Sequence, residues 1–333
     1  MKHLLKTVMV PMILGTVFSS LITAGPSPSA HAPIGVMGDH THKAKELMLS
    51  YRYMSMPMNG LRQGTKQKNN TDTFSKGYMM SPEKMDMQMH MVGAMYAPNN
   101  TITIMGMLPI ISNEMSMINR MGVSSDMSSN GIGDTKLSLL IQTINTPSKK
   151  LHIHAGITLP TGDLTHEDTM MGSDNRLPYP MQLGSGTIDL LPGITYREFH
   201  GSLSWGIQGS AVLRSGYNNE GYQKPHQYQA TTWISKSLNK MLSGSLRLQH
   251  SAWDKLKGRD DDMLAATLSP PLNTTNSGGQ RTDLSVGINT VFHSDTLGKN
   301  RVAIEYGVPI FQDLGGIQLE LDSWLILGLQ KVF

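Results

Sequence analysis

The sequence has no cysteine, few aromatic side chains and no long apolar run beyond its first residues. Without cysteine the chain can form no disulfide, no zinc-thiolate centre and no thiol nucleophile. Only 39% of its 333 residues are hydrophobic and its mean hydropathy is -0.22, values that exclude a bundle of membrane-spanning helices. A barrel wall needs an apolar side chain only at every second position, so this composition still permits a membrane protein built from strands.

Charge and motifs argue against two further classes of protein. The formal net charge of +3 falls to +1 once Lys2 and Lys6 of the leader are set aside, which is too little to predict a nucleic acid partner. The sequence contains no Ser-centred elbow, HExxH motif, phosphate loop or dinucleotide fingerprint, so we predict that the chain is not an enzyme. A hydrolase assembled from residues of distant strands is the remaining alternative.

The first residues have the pattern of an export signal. Lys2 and Lys6 precede an apolar stretch, residues 8–21, that is too short to span a membrane as a helix. We predict a signal peptide within residues 1–32, with cleavage after Ala24 or Ala30, followed by a short periplasmic tail at 33–43.

From residue 44 onward, apolar and polar residues alternate over segments of roughly ten residues that turns or polar loops separate. Tight and long connections alternate at most positions, as they do in barrels with short periplasmic turns and long external loops. We therefore predict, for residues 44–333, an all-β, up-and-down antiparallel transmembrane barrel in the outer membrane of a Gram-negative bacterium. Its twelve predicted strands are 46–58, 85–97, 101–111, 135–145, 151–159, 187–198, 202–215, 226–237, 242–252, 282–293, 301–312 and 317–333.

The last predicted strand places leucines on one parity and ends at Phe333. A terminal aromatic residue on an amphipathic strand resembles the signal that the outer-membrane assembly machinery recognises in its clients. The predicted partners are therefore this machinery and the lipid of the outer membrane. The chain has only 6% aromatic residues for the usual girdle, and its predicted members are Tyr51, Tyr53, Tyr96, Tyr196, Trp205, Trp233 and Trp324.

Four glycine and proline motifs occur in a recognisable order. They are GIGDTKL at 131–137, LPTGD at 159–163, LGSG at 183–186 and LPG at 191–193. Their order and spacing resemble the outer-membrane family named after the MetA pathway of phenol degradation, over nearly all of the mature chain. The resemblance implies a channel for small compounds, including hydrophobic or aromatic ones.

Strand parity predicts a set of charged and polar side chains that face the lumen. Such rings set the ion selectivity of an open pore, whereas in a plugged barrel the same charges pair with one another. Both alternatives remain open at this point. The predicted pore-lining residues are Arg52, His152, His154, Asp189, Arg197, Arg214, Arg247 and Glu305.

Methionine is unusually abundant, with 26 residues in the chain. Met54, Met56 and Met58 share the parity of Arg52, so they are predicted to face the lumen. By contrast, the methionines at 85, 87, 89 and 91 oppose Asp86, Gln88 and His90 and are predicted to face lipid. Thioethers bind soft metals such as Cu(I), but methionine also serves as a flexible apolar filler.

A second candidate for metal binding is the sequence Asp39-His40-Thr41-His42, in which His40 and His42 are the candidate ligands and a third firm ligand is missing. Its alternative is a solvated periplasmic tail. The sequence as a whole therefore predicts a channel that passes small solutes. The alternative function is a methionine- and histidine-rich copper-binding protein built on a barrel; apart from copper, no cofactor is predicted.

Overall fold

The computed structural model describes residues 28–170, 173–294 and 298–333, so the predicted signal sequence lies almost wholly outside the described residues. Twelve consecutive antiparallel strands form the wall of a barrel, which confirms the predicted fold class. They are β1 (Leu47–Gly64), β2 (Met80–Tyr96), β3 (Ile102–Asn119), β4 (Thr135–Asn145), β5 (Lys149–Leu159), β6 (Asp189–His200), β7 (Leu203–Val212), β8 (Gln227–Ser237), β9 (Leu242–Trp253), β10 (Gly279–Ser294), β11 (Gly298–Leu321) and β12 (Trp324–Val332).

Pairing of the last strand with the first closes the sheet. Met48 of β1 lies opposite Val332 of β12, and the register continues without a break to Ser55 opposite Leu325. Closure gives every wall strand two hydrogen-bonded neighbours, which is the condition for placing strands in an apolar environment. Among the described residues, no helix has the length and apolar character needed to cross a membrane.

Several strands extend beyond their predicted ends. The segments predicted as long loops at 59–84 and 112–134 are largely β-structure, because β1, β2 and β3 rise above the rest of the wall and Ser124–Ile132 adds a further strand against β3. The segment predicted as a turn at 313–316 lies within β11, where the strand changes its neighbour. Residues up to Leu314 pair with β10, whereas Leu314, Leu319 and Leu321 pair with the upper part of β1.

The outer face of the wall carries exposed aliphatic side chains from each of the twelve strands. Such a band is the lipid-facing surface expected of a transmembrane barrel. Representative members are Leu49, Val92, Ile104, Leu139, Ile153, Ile194, Ile207, Ile234, Leu246, Val286, Ile304 and Leu329.

The predicted orientation of the β2 methionines is wrong. Met89 and Met85 lie directly opposite Met54 and Met58 of β1, and residues opposite one another in an antiparallel pair share a face. Met85 and Met91 are buried, whereas Val92 is exposed, so the methionines at 85, 87, 89 and 91 point into the barrel. Polar Asp86 and Gln88 face outward because this part of β2 lies above the apolar band, where the rule that apolar residues face lipid no longer holds.

Two predicted members of the aromatic girdle also point inward. Trp233 and Trp324 are buried, and each lies directly opposite a glycine on the neighbouring strand. A Cβ at Gly206 would stand 2.3 Å from the Trp233 ring, and one at Gly307 would stand 2.2 Å from the Trp324 ring. The absence of a side chain at these glycines makes room for the indoles inside the lumen.

Candidate functional site

The N-terminal residues 28–42 lie inside the barrel, and we call them the plug. Ala32, Ile34 and Val36 are at most 2% exposed, and they pack against the inward-facing Trp233 and Trp324. The expectation of a solvated tail here is therefore wrong. Periodicity could not reveal this burial, because the plug has neither the alternation of a strand nor the period of a helix.

Side chains of the wall bind the plug mainly through its backbone. Arg52 Nε donates to the carbonyl oxygen of Ile34 at 3.2 Å, and Arg197 Nη1 donates to that of Ala30 at 2.9 Å. Arg301 donates to the carbonyl of Ala32. Since a buried carbonyl without a partner is costly, these arginines satisfy the irregular backbone of the plug.

Further hydrogen bonds to the plug come from all around the lumen. The partners in the wall, counted together with the three arginines, belong to nine of the twelve strands. They are Thr103 of β3, Gln142 of β4, His152 of β5, Ser204 and Gln208 of β7, Ser237 of β8, Ser243 of β9 and Glu305 of β11. The plug therefore fills the cross-section of the barrel.

The plug lies toward the end of the barrel that carries the tight turns. Ser204 and Ser237 are close to the turns at 201–202 and 238–241, and both contact Ser29 of the plug. Cleavage of the leader after Ala24 leaves this segment whole, whereas cleavage after Ala30 would remove Pro28 and Ser29, which bond to the wall. The contacts therefore favour Ala24 among the two predicted cleavage sites.

The eight predicted pore-lining residues have side chains that are at most 9% exposed, and four of them bond to the plug. Arg52, Arg197, His152 and Glu305 bond directly to its backbone. The remaining four bond to side chains of the wall: Arg247 to Glu305, Arg214 to Asp189, and His154 to Thr195. This arrangement corresponds to the plugged alternative, because the charges are engaged and do not line an open pore.

The histidines of the plug lie close together. His40 Nδ1 is 2.7 Å from Asp39 Oδ1, and the His40 ring is 4.9 Å from that of His42 and 5.5 Å from that of His31, measured between centroids. One ligand atom each from His31, Asp39 and His40 falls within a span of 4.8 Å. This group contains the predicted candidate His40 but not His42, and its third member is His31, which the sequence did not single out.

Above the plug lies a chamber of about 770 Å³ whose walls carry thioethers. Met37 of the plug contributes to its lining, and seven methionines of the wall do the same. They are Met56 and Met58 of β1, Met85 and Met87 of β2, and Met105, Met107 and Met115 of β3. Strand parity correctly predicts that the methionines of β1 face the lumen and wrongly predicts that those of β2 face lipid. It gives no prediction for the methionines of β3. Met54, by contrast, packs against Leu321, Trp324 and Ile326.

Loops from the opposite end of the barrel cover the chamber. Tyr179, Pro180, Leu256 and Pro271 belong to these loops and line the chamber. Arg176 ties the loops together, because its Nη1 lies 2.7 Å from Asp260 Oδ2 and also bonds to Glu220. Burial disfavours the charged form of Arg176, but these carboxylates raise its pKa. The guanidinium therefore stays charged and neutralises the acidic cluster in these loops, which form the roof of the chamber.

The rest of the chamber wall is mixed, and it includes a set of polar and cationic side chains among apolar ones. It carries Lys136 of β4, His154 of β5, Gln208 of β7, Lys224 of the loop after β7, and Arg281 of β10. The two lysines were not predicted, although Lys136 shares the inward parity of Ser138 and Leu140. Lys224 lies in a loop, where strand parity gives no orientation.

No protein-family model matches the chain, and no curated protein sequence matches it. Among solved structures, the chain is similar to the COG4313 outer membrane channel from Pseudomonas putida F1, with 12% sequence identity, a TM-score of 0.62, and an alignment covering 90% of this chain and 100% of that one. The Ralstonia pickettii toluene transporter TbuX is less similar, with 11% identity, a TM-score of 0.42 and coverage of 88% and 90%. At such identity the first likeness establishes a shared barrel architecture, and the second is too weak to argue from.

Proposed function

We propose that the chain is an outer-membrane channel that passes small apolar or aromatic solutes through its methionine-lined chamber. The observation that carries the proposal is this chamber, which lies between plug and loops inside a closed barrel with an apolar outer face. The fold shared with a protein described as an outer membrane channel supports it. The four glycine and proline motifs support the narrower assignment to the family of the MetA pathway. The terminal Phe333, which directly follows β12, supports recognition by the assembly machinery.

The size and lining of the chamber favour a solute with a single ring. A volume of about 770 Å³ falls within the range of roughly 300–1,000 Å³ that is typical of small-molecule sites. Thioethers are polarizable and flexible, and they make favourable contacts with aromatic rings. Passage past the plug then requires the plug to shift, since its contacts extend around the lumen.

Uptake by proteoliposomes tests the proposal. Radiolabelled phenyl glucoside, a neutral solute that crosses lipid slowly, is expected to enter vesicles containing the purified protein faster than protein-free vesicles. Met56→Gln combined with Met87→Gln should lower the uptake ratio of phenyl glucoside to methyl glucoside by roughly five-fold, because two thioether contacts with the ring are lost. Met121→Gln is the matched control, since Met121 is 84% exposed. Uptake equal to that of protein-free vesicles would rule the channel out.

A second candidate function, metal binding, is favoured by the grouping of His31, Asp39 and His40. Two imidazoles and a carboxylate suit Cu(II) or Zn(II), so we propose the plug, and not the thioethers at 54, 56 and 58, as the location of such a site. The lysines of the chamber disfavour a cation there. Isothermal titration should show one Cu(II) site that is lost in the His31→Ala variant. The site should be retained in the control variant His250→Ala, because His250 is an exposed residue of β9. No binding to the wild-type protein would exclude the site.

A further inference from the structure

Two lysines of the chamber lack acidic partners. Among the described residues, the side chain of Lys136 makes no hydrogen bond and no ion pair, and the Nζ of Lys224 donates only to the carbonyl oxygen of Gln182, at 2.8 Å. An ammonium group carries three donors, so most of the donors of these two side chains are unused. Both line the chamber, and they lie in the same part of its wall: Asp134, two residues before Lys136, accepts from the N–H of Ser185, three residues after the Gln182 to which Lys224 donates.

The carboxylates in this region are already engaged by other groups. Asp134 accepts from the backbone N–H of Gly162 at 3.1 Å and from that of Ser185 at 2.8 Å. Asp189 accepts from Arg214 and Thr187, and Asp283 accepts from Arg281 at 2.8 Å. Among the described residues, therefore, no carboxylate forms an ion pair with either lysine.

Burial of Lys224 has a measurable consequence. Removal from water, followed by repulsion from Arg214, lowers the pKa of this loop lysine to about 8. A cation held in such an environment is stabilised when an anion enters, because charge-assisted hydrogen bonds are stronger where water is excluded.

The opposite side of the chamber is apolar. Thioethers from β1, β2 and β3 line it, among them Met56, Met87 and Met107. A solute that satisfies both sides carries an anionic head and an apolar body. A neutral ring leaves the lysines unpaired, and an organic cation is repelled by them.

We propose that the chamber selects small organic anions, such as aromatic carboxylates or sulfonates, whose head bonds to Lys136 and Lys224 while the ring contacts the methionines. This inference rests on the proposed channel function and specifies its substrate class. Metal cations are poor candidates for the same chamber, because two unpaired lysines and Arg281 face it.

Three solutes with one phenyl ring but different charge test the inference: benzenesulfonate, phenyl glucoside and benzyltrimethylammonium. In wild-type proteoliposomes, uptake should be fastest for the sulfonate and slowest for the ammonium. Lys136→Met combined with Lys224→Met should lower sulfonate uptake by about tenfold, the effect expected for a lost charge-assisted contact, and should leave phenyl glucoside uptake largely unchanged. Lys136→Arg combined with Lys224→Arg should retain the preference, and Lys149→Met, at an exposed lysine, is the matched control.

The outcomes separate the inference from the channel function. If the double methionine variant keeps the wild-type preference for the sulfonate, the anion site is refuted, whereas continued uptake of phenyl glucoside still supports a channel. If no solute enters wild-type vesicles faster than protein-free ones, both proposals fail. Heat-modifiable migration on gels verifies that each variant has folded, so that a loss of sulfonate uptake with preserved phenyl glucoside uptake supports the anion site.

Discussion

Deletion of the plug, residues 28–42, is expected to raise the uptake of phenyl glucoside by proteoliposomes several-fold. The plug is bonded by side chains from nine of the twelve strands, so its removal opens the end of the barrel that it fills. The wall should remain closed without it, because β1 to β12 pair with one another through their own backbones. Planar-bilayer recordings of the same variant should show larger and longer current steps.

Single substitutions that weaken the binding of the plug, and one at an exposed residue, serve as controls for this deletion. Arg197→Ala and Arg301→Ala each remove a donor to the plug backbone and should increase uptake less than the deletion does. Lys149→Gln, at an exposed residue of β5, should change nothing. A deletion variant that folds but takes up solute at the wild-type rate would show that the plug does not limit passage.

The second large effect is expected from Glu305→Ala, which should destabilise the barrel by about 3–5 kcal/mol. Glu305 Oε1 accepts from Arg247 Nε at 2.6 Å and from Ser285 Oγ at 2.7 Å, while Oε2 accepts from the N–H of Gly35 at 2.7 Å. Loss of the carboxylate leaves Arg247, which is 3% exposed, as a buried cation whose described contacts, Gln249 and the Trp324 ring, carry no negative charge. Reversible urea unfolding in lipid vesicles, followed by tryptophan fluorescence, measures the change in the free energy of unfolding.

Two variants check that this loss comes from the unpaired charge. Glu305→Leu combined with Arg247→Met removes both charges and should recover most of the stability, because an apolar pair of similar volume often replaces a buried ion pair at little cost. Lys149→Gln breaks a more exposed pair with Glu198, 3.9 Å long, and should cost about 0–1 kcal/mol. A loss in Glu305→Ala no greater than that in Lys149→Gln would contradict the role assigned to this network.

Strand number and most side-chain orientations could be predicted from the sequence because they follow from a local rule. Alternation within each strand assigned Met56 and Arg52 to the lumen and Leu49 and Ile153 to the outside. The rule failed for Met85 and its neighbours because it assumes lipid on the outside along the whole strand, whereas β2 rises above the apolar band.

The plug could not be predicted because the side chains of the wall that hold it bond mostly to its backbone and not to its side chains. Arg52, Arg197 and Arg301 recognise carbonyl groups, which every residue carries, so no side-chain pattern in residues 28–42 records the interaction. The roof of the chamber was equally hidden, since Arg176 pairs with Glu220 and Asp260, which are remote in sequence. Such contacts depend on tertiary structure alone.

A reversible tether between plug and wall tests most directly whether solute passes through a lumen that the plug controls. A Cβ at Gly328 would lie 2.4 Å from Cγ1 of Ile34, so the β-carbons of Ile34→Cys and Gly328→Cys come within the spacing of about 4 Å that a disulfide bridges. Because the chain has no cysteine of its own, no other thiol competes. Phenyl glucoside uptake by proteoliposomes should be near the protein-free rate when this variant is oxidised and should rise toward the wild-type rate on reduction. Equal uptake in the two states would contradict the account.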